Sequence, residues 1–257
     1  MGLFFTDDEE RFTSGLRKSG FPRYKEVLEA SWKDFIKAGF LTLVFHIPLA
    51  AGLVYAVGSR SALAAILAGL LGGMIGGVGW ACMVDLLLRR LRDDYADFWV
   101  SWKKSMRQNG RASLLPGAVQ GLFRALIVFA LALILWGAAP LSPATILLLA
   151  ASTVLGTMLF TVWWPQVVLF EQKPLLQIKN AAFFCLFHFG ELLGAAILQV
   201  AWWAVTFLFM PWTAFVVPIL SVWYILFLSL HLIYPLLDAD FRVEEQIDEK
   251  FPGRRGL

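Results

Sequence analysis

The sequence predicts an all-α fold: a polytopic transmembrane helical bundle of six spans, with short cytoplasmic interfacial helices. Three observations predict it. Only 16% of the 257 residues are charged and 59% are hydrophobic, whereas a soluble domain carries about 25% charged residues. The charges are clustered, most of them up to Lys37, between Asp85 and Arg111, and from Asp238 onward. The apolar stretches between them run to about 20 residues, the length a helix needs to cross the hydrocarbon core. Helices satisfy their own backbone groups in lipid. A β-barrel would need short alternating segments, and this chain lacks them. The predicted organisation is a partly amphipathic cytoplasmic segment (1–34), a membrane domain (35–237) with a cytoplasmic arm (89–111), and a charged cytoplasmic tail (238–257).

The N-terminal segment does not read as a signal peptide, because its apolar LFF is short and DDEER follows almost at once. MGLFFT matches a lipidation pattern through Gly2 and Thr6. Chance explains the match, since a protein with many spans gains nothing obvious from one acyl chain. Apolar positions Phe12, Leu16, Phe21, Tyr24, Val27, Leu28 and Trp32 alternate with basic ones. The spacing predicts a short helix over Pro22–Asp34. Two readings stay open for it: a helix lying on the membrane surface, or one packed on the rest of the protein.

Span 1 covers Phe35–Val57, with His46 and Pro48 near its middle. The proline removes a backbone donor and bends the helix. A histidine at that depth turns away from lipid, either as a satisfied interior group or as a substrate or proton contact. After the turn Gly58–Ser61, span 2 covers Ala62–Leu88. Gly69, Gly73 and Gly77 recur every four residues in it, as do Gly72 and Gly76. Such spacing lets another helix approach closely, or lets the helix unwind and offer carbonyls to a ligand. Asp85 lies within one turn of Arg89 and pairs with it or reaches the interface.

The arm Arg89–Arg111 is the longest polar interruption, with seven Lys/Arg and three Asp in 23 residues. It predicts an interfacial amphipathic helix. Phe98, Trp99, Trp102 and Met106 form a broad apolar face, and Lys103, Lys104 and Arg107 stay near headgroups. Trp99, Trp102, Lys103, Lys104 and Arg107 are therefore the expected interfacial anchors. Nucleic acid is excluded as a partner, because three carboxylates interrupt the basic residues.

Span 3 covers Leu114–Trp136 and carries Gln120 and Arg124. An arginine near mid-membrane is costly even when it snorkels, so Arg124 is the most informative buried charge. Span 4 covers Ala144–Phe170 and ends in Trp163, Trp164, Pro165 and Gln166, an aromatic exit from the membrane. Span 5 covers Ala181–Met210, tilted or broken, with His188, Glu191 and Gln199. His188 and Glu191 are three apart and share a face. Glu191 and Arg124 each lie about ten residues inside their spans from the same side. That depth match makes Glu191 the expected partner of Arg124. A structural ion pair, a polar substrate or ion site, and proton-coupled chemistry are the readings in order. Span 6 covers Thr213–Leu236, with His231 and Tyr234 near its exit.

Topology follows from the basic residues. Of the 22 Lys and Arg, all but Arg60 and Arg124 fall on the side holding both termini. The positive-inside rule makes that side cytoplasmic, in a plasma (inner) membrane. Cys82 and Cys185 lie in apolar stretches and read as small buried residues.

Three stretches resemble one another's counterparts in the YesL-like family of bacterial membrane proteins. They are IPLAAG (Ile47–Gly52), VDLLLRRLRDDYADFWVSWKKSMRQNGRASLLPGAVQG (Val84–Gly121) and VVLFEQKPLLQIKNAAFF (Val167–Phe184). The resemblance spans most of the chain, although the charged N-terminal segment and tail are unusually long for it. It implies a role near carbohydrate transport and supplies no catalytic residues.

No HExxH, GxSxG, Walker or dinucleotide motif occurs, and no acidic pair sits in a span at metal-binding spacing. Neither a metal nor a cofactor is expected; His188 and Glu191 alone are too few ligands for zinc. Two function classes remain. One is a small-solute transporter, or an accessory subunit of a transport system, with Arg124, Glu191, His188, His46 and Gln120 as its polar intramembrane site. The other is a structural or regulatory protein binding lipid or a protein partner. The lipid bilayer is the certain partner; anionic lipids, a membrane protein partner and a homo-oligomer stay open. A carrier predicts a cavity reaching Arg124 and Glu191, while a close pair in a dry bundle predicts the structural class.

Overall fold

A computed structural model describes residues 20–250, which form helices and no strand. The Gly2–Thr6 lipidation pattern, the amphipathic positions Phe12 and Leu16, and the last residues of the charged tail lie outside the described residues. Six helices are long and apolar enough to cross a membrane, so the chain is a multi-pass integral membrane protein.

Helix α1, Gly20–Gly58, is one continuous helix of 39 residues. The segment expected as a separate short helix is its first turns. Arg23, Tyr24, Val27, Ser31 and Phe35 are buried, so this part packs on the protein. The reason is continuity of pattern: no glycine or proline separates Pro22–Asp34 from the apolar run that follows. Helix α2, Ala62–Leu91, starts from a Ser61 cap on the Ala64 amide. It carries a π turn at Ala68–Gly72. The glycine run therefore widens the helix but does not unwind it. Asp97 caps helix α3, Phe98–Asn109, by accepting from the Trp99 and Val100 amides at 2.9 and 3.1 Å.

Helix α4 is Leu114–Leu135, and α5 is Pro143–Leu169, with Pro143 at its first position. The stretch expected as span 5 is broken. Helix α6, Pro174–Phe187, stops at His188 (φ −112°, ψ 38°), and α7, Phe189–Leu208, begins after it. Span 6 is also remodelled. A 3-10 turn at Trp212–Phe215 and a π turn at Val217–Ser221 precede α8, Trp223–Phe241, and α9 is Val243–Lys250.

Alternating spans place the start of α1, the whole of α3 and the end of α8 at one end of the bundle, here termed the basic end. The core is concentrated toward it. In α5 every buried residue lies between Met158 and Val167, and its first half carries exposed apolar side chains such as Leu147 and Leu148. Aromatic stacking joins α1 to α8, with Phe35 and Tyr24 at 4.9 and 5.0 Å from Phe227. Side-chain amides link the remaining helices: Trp164 Nε1 donates to Gln120 at 3.0 Å, and Gln199 donates to Thr161 at 2.8 Å.

Helix α2 lies between α1 and α4, and its glycines divide by face. A Cβ at Gly73 would sit 2.5 Å from the Gly117 carbonyl oxygen, and one at Gly77 2.7 Å from the Gly117 Cα. Gly69 meets Leu122 and Ala125 in the same way. Gly72 instead abuts the Leu49 backbone of α1, and Gly76 abuts the His46 imidazole. Close approach also lets the Thr42 hydroxyl donate to the Gly79 carbonyl at 3.2 Å. Gly117 and Gly121 on α4, four apart, are the reciprocal small residues.

Candidate functional site

The geometry around Arg124 starts on α1. His46 Nδ1 lies 2.8 Å from the Thr42 carbonyl. A carbonyl only accepts, so Nδ1 carries the proton and the neutral ring leaves Nε2 as an acceptor. The bare Gly76 makes room for this ring, since a Cβ there would come within 3.0 Å of it. Arg124 then donates from one terminal nitrogen to His46 Nε2 at 3.4 Å. Its guanidinium carbon stands 4.7 Å from the centre of the Trp80 ring. Trp80 in turn meets the edge of His46 at 5.9 Å. Three adjacent helices, α1, α2 and α4, thus contribute one residue each.

Arg124 lies ten residues after Leu114 and eleven before Leu135. At 1.5 Å per residue this is about 15 Å from either end of the helix, near the middle of a ~30 Å hydrocarbon core. Among the described residues, no carboxylate lies within ion-pair distance of it. The face it occupies changes character at this level. Gln120, one turn before, is buried, whereas Val128 and Leu131, one and two turns beyond, are 39% and 46% exposed.

Glu191 is not the partner of Arg124, which corrects the depth argument. The break at His188 puts Glu191 in the first turn of α7, three residues past the break rather than ten residues into an unbroken helix. It is exposed, where a carboxylate complements the positive end of the helix dipole. His188 does not pair with Glu191 either. Its Nε2 lies 2.9 Å from Asp240 near the end of α8. His188 and Glu191 therefore leave the intramembrane cluster and belong to the basic end. A cleft of about 500 Å³ lies beside them, lined by Asn180, Phe183, Phe187, Asp240 and Arg242. Gln120 stays on α4 one turn from Arg124, with its carbonyl occupied by Trp164.

The interfacial anchors also divide. Trp99, Lys103, Lys104 and Arg107 are exposed, but Trp102 is 3% exposed and stacks on Phe98 at 5.8 Å. Phe98, Ser101, Trp102 and Ser105 form the stripe by which α3 packs on α2. Trp102 is therefore a core residue and not a lipid anchor.

Asp85 binds Arg89 at 2.9 Å, as expected from their spacing. Cys82 and Cys185 are both free. Among the described residues, no group of three or more His, Cys, Asp or Glu gathers at metal-binding distance.

Sequence reasoning missed Trp80, Gly117 and Gly121. Tryptophan at the end of a span reads as an interface marker, and Trp80, four residues after Gly76, lies inside span 2 instead. Gly117 and Gly121 flank Gln120 at the same four-residue spacing as the glycines of α2, and that match was the available signal. Comparison with protein-family models, with curated proteins and with solved structures returns no match for this chain.

Proposed function

We propose that this membrane protein handles a small solute inside the bilayer, as a transporter or as an accessory subunit of a transport system. The carrying observation is Arg124: an arginine at the middle of its span, with no carboxylate in reach of its guanidinium among the described residues. A lone charge at that depth is expensive, about 2.5–3.5 kcal/mol on insertion scales, and such residues usually line substrate pathways. A purely structural bundle has no use for it, because leucine fills the space without that cost. The resemblance to YesL-like proteins supports a carbohydrate-related solute. Both termini are cytoplasmic in this reading, supported by the bias of Lys and Arg toward the basic end.

Uptake by proteoliposomes tests the transport reading. Labelled sugars and sugar acids should accumulate with wild-type protein and not with Arg124→Leu; equal accumulation in both removes Arg124 from the pathway. Reporter fusions test the topology, and an external signal from either terminus overturns it.

One observation favours a second reading, a regulatory protein recruited to anionic lipid. Helix α3 exposes Trp99 beside Lys103, Lys104 and Arg107 at the basic end. An aromatic residue flanked by cations suits a negatively charged leaflet.

A further inference from the structure

We infer that the Arg124 cluster is a binding site for a small oxyanion, the carboxylate or phosphate group of a solute. This inference rests on the solute-handling reading and names the chemical class of the solute.

The cluster presents donors without matching acceptors. Arg124 has five N–H groups, and one of them reaches His46. His46 offers a neutral lone pair, so it orients the guanidinium without cancelling its charge. Trp80 supplies a π-face to the cation. The Nε1–H of the same indole is buried and finds no acceptor among the described residues. Buried polar groups in folded proteins are nearly always paired. A constellation with spare N–H donors and one uncancelled positive charge is complementary to an oxyanion, and a planar guanidinium matches a carboxylate or phosphate edge with two parallel bonds. Cations lack that complementarity, and neutral sugars accept hydrogen bonds from a guanidinium without matching its charge.

The side chain of Arg124 extends toward the basic end. Gly76 faces His46 and Gly77 faces Gly117, so the His46 and Trp80 that hold the guanidinium lie one to two turns nearer that end than Arg124 itself. A helical side chain leans toward its helix N-terminus in this way. A solute anion and a lipid phosphate share the recognised chemistry, and the lipid arms of the test separate them.

The test is anion-dependent thermal stability of the purified full chain in a neutral detergent. Inorganic phosphate, sulfate or gluconate replaces chloride at constant ionic strength, with glucose as the uncharged control. Wild-type protein should show a saturable rise in Tm with at least one of the three anions and none with glucose. The apparent affinity should fall at least tenfold in Arg124→Gln and several-fold in Arg124→Lys. The lysine variant keeps the charge but loses the fork, and it preserves the test if the glutamine variant does not fold. No saturable rise with any anion, or an unchanged affinity in Arg124→Lys, overturns the site. A parallel series in phosphatidylcholine nanodiscs, with and without phosphatidylglycerol, separates the sources. Stabilisation that depends on Arg124 and comes only from phosphatidylglycerol overturns the solute assignment. Anion binding without anion uptake keeps the site and removes transport. Uptake of a neutral sugar without anion binding keeps transport and removes the site.

Discussion

Arginines at the basic end and Arg124 at mid-membrane are the same chemical group in opposite circumstances. Arg23 bonds Asp93 at 2.7 Å and the Leu91 carbonyl at 2.9 Å. Arg90 bonds Asp34 at 2.8 Å and the Asp94 and Ala96 carbonyls at 2.6 and 2.9 Å. Arg89 bridges Asp85 and Asp94 at 2.9 and 3.0 Å. Arg23 and Arg90 tie α1, α2 and the loop after α2 together, and Arg89 ties α2 to that loop, each through a carboxylate. Among the described residues, Arg124 meets only a neutral imidazole and an indole face. The difference teaches how a membrane protein allots its charges. Ion pairs that brace helices sit where water and headgroups soften desolvation, while a charge kept unpaired in the hydrocarbon is held for something other than stability.

That contrast predicts a graded set of outcomes, measured as unfolding free energy in detergent. Arg90→Ala should cost the most, about 3–5 kcal/mol, because it removes a buried guanidinium from the Asp94 and Ala96 carbonyls and leaves Asp34 with only the exposed Lys37 at 3.3 Å. An Arg90→Ala protein as stable as wild type would show that the basic-end pairs are ornamental. Gly121→Ala comes next, at about 1–3 kcal/mol, since its new Cβ would meet the Gly73 backbone at 2.5 Å. Gly190→Ala is the matched control. Nothing lies within 4 Å of its new Cβ, and it should equal or slightly exceed wild type. Arg124→Leu should be no less stable than wild type while losing solute uptake. A large loss of stability there would make Arg124 another brace and erase the contrast. Replacing Lys103, Lys104 and Arg107 together by Gln should change stability by about 0.5 kcal/mol or less. It should weaken retention on phosphatidylglycerol vesicles by about 1 kcal/mol per charge. Unchanged retention would leave α3 as a packing element alone.

The same contrast explains how much was legible beforehand. Span count, the turn at Gly58–Ser61 and the helix over Phe98–Asn109 follow from local pattern, because length, apolarity and capping act within a few residues. The Asp85–Arg89 pair was legible for the same reason, being one helical turn apart. The partner of Arg124 was not. The depth of Glu191 is counted from Ala181 in a span expected to be tilted or broken, and the break at His188 places Glu191 in the first turn of α7. Trp102 was misassigned because exposure depends on which face of α3 meets α2, and a helical wheel of aromatics does not choose that face.

Composition and periodicity alone determined that this chain crosses a membrane six times and concentrates its cations at one end. Those properties depend on summed transfer energies along the chain, which require no knowledge of neighbours. Only the tertiary structure decided that Gly73 meets Gly117, that Gly76 clears room for His46, and that Arg124 rests between His46 and Trp80. Those contacts depend on which helices are adjacent and how each is rotated about its axis. Both are set by close packing across α1, α2 and α4, among residues 30 to 78 positions apart in sequence.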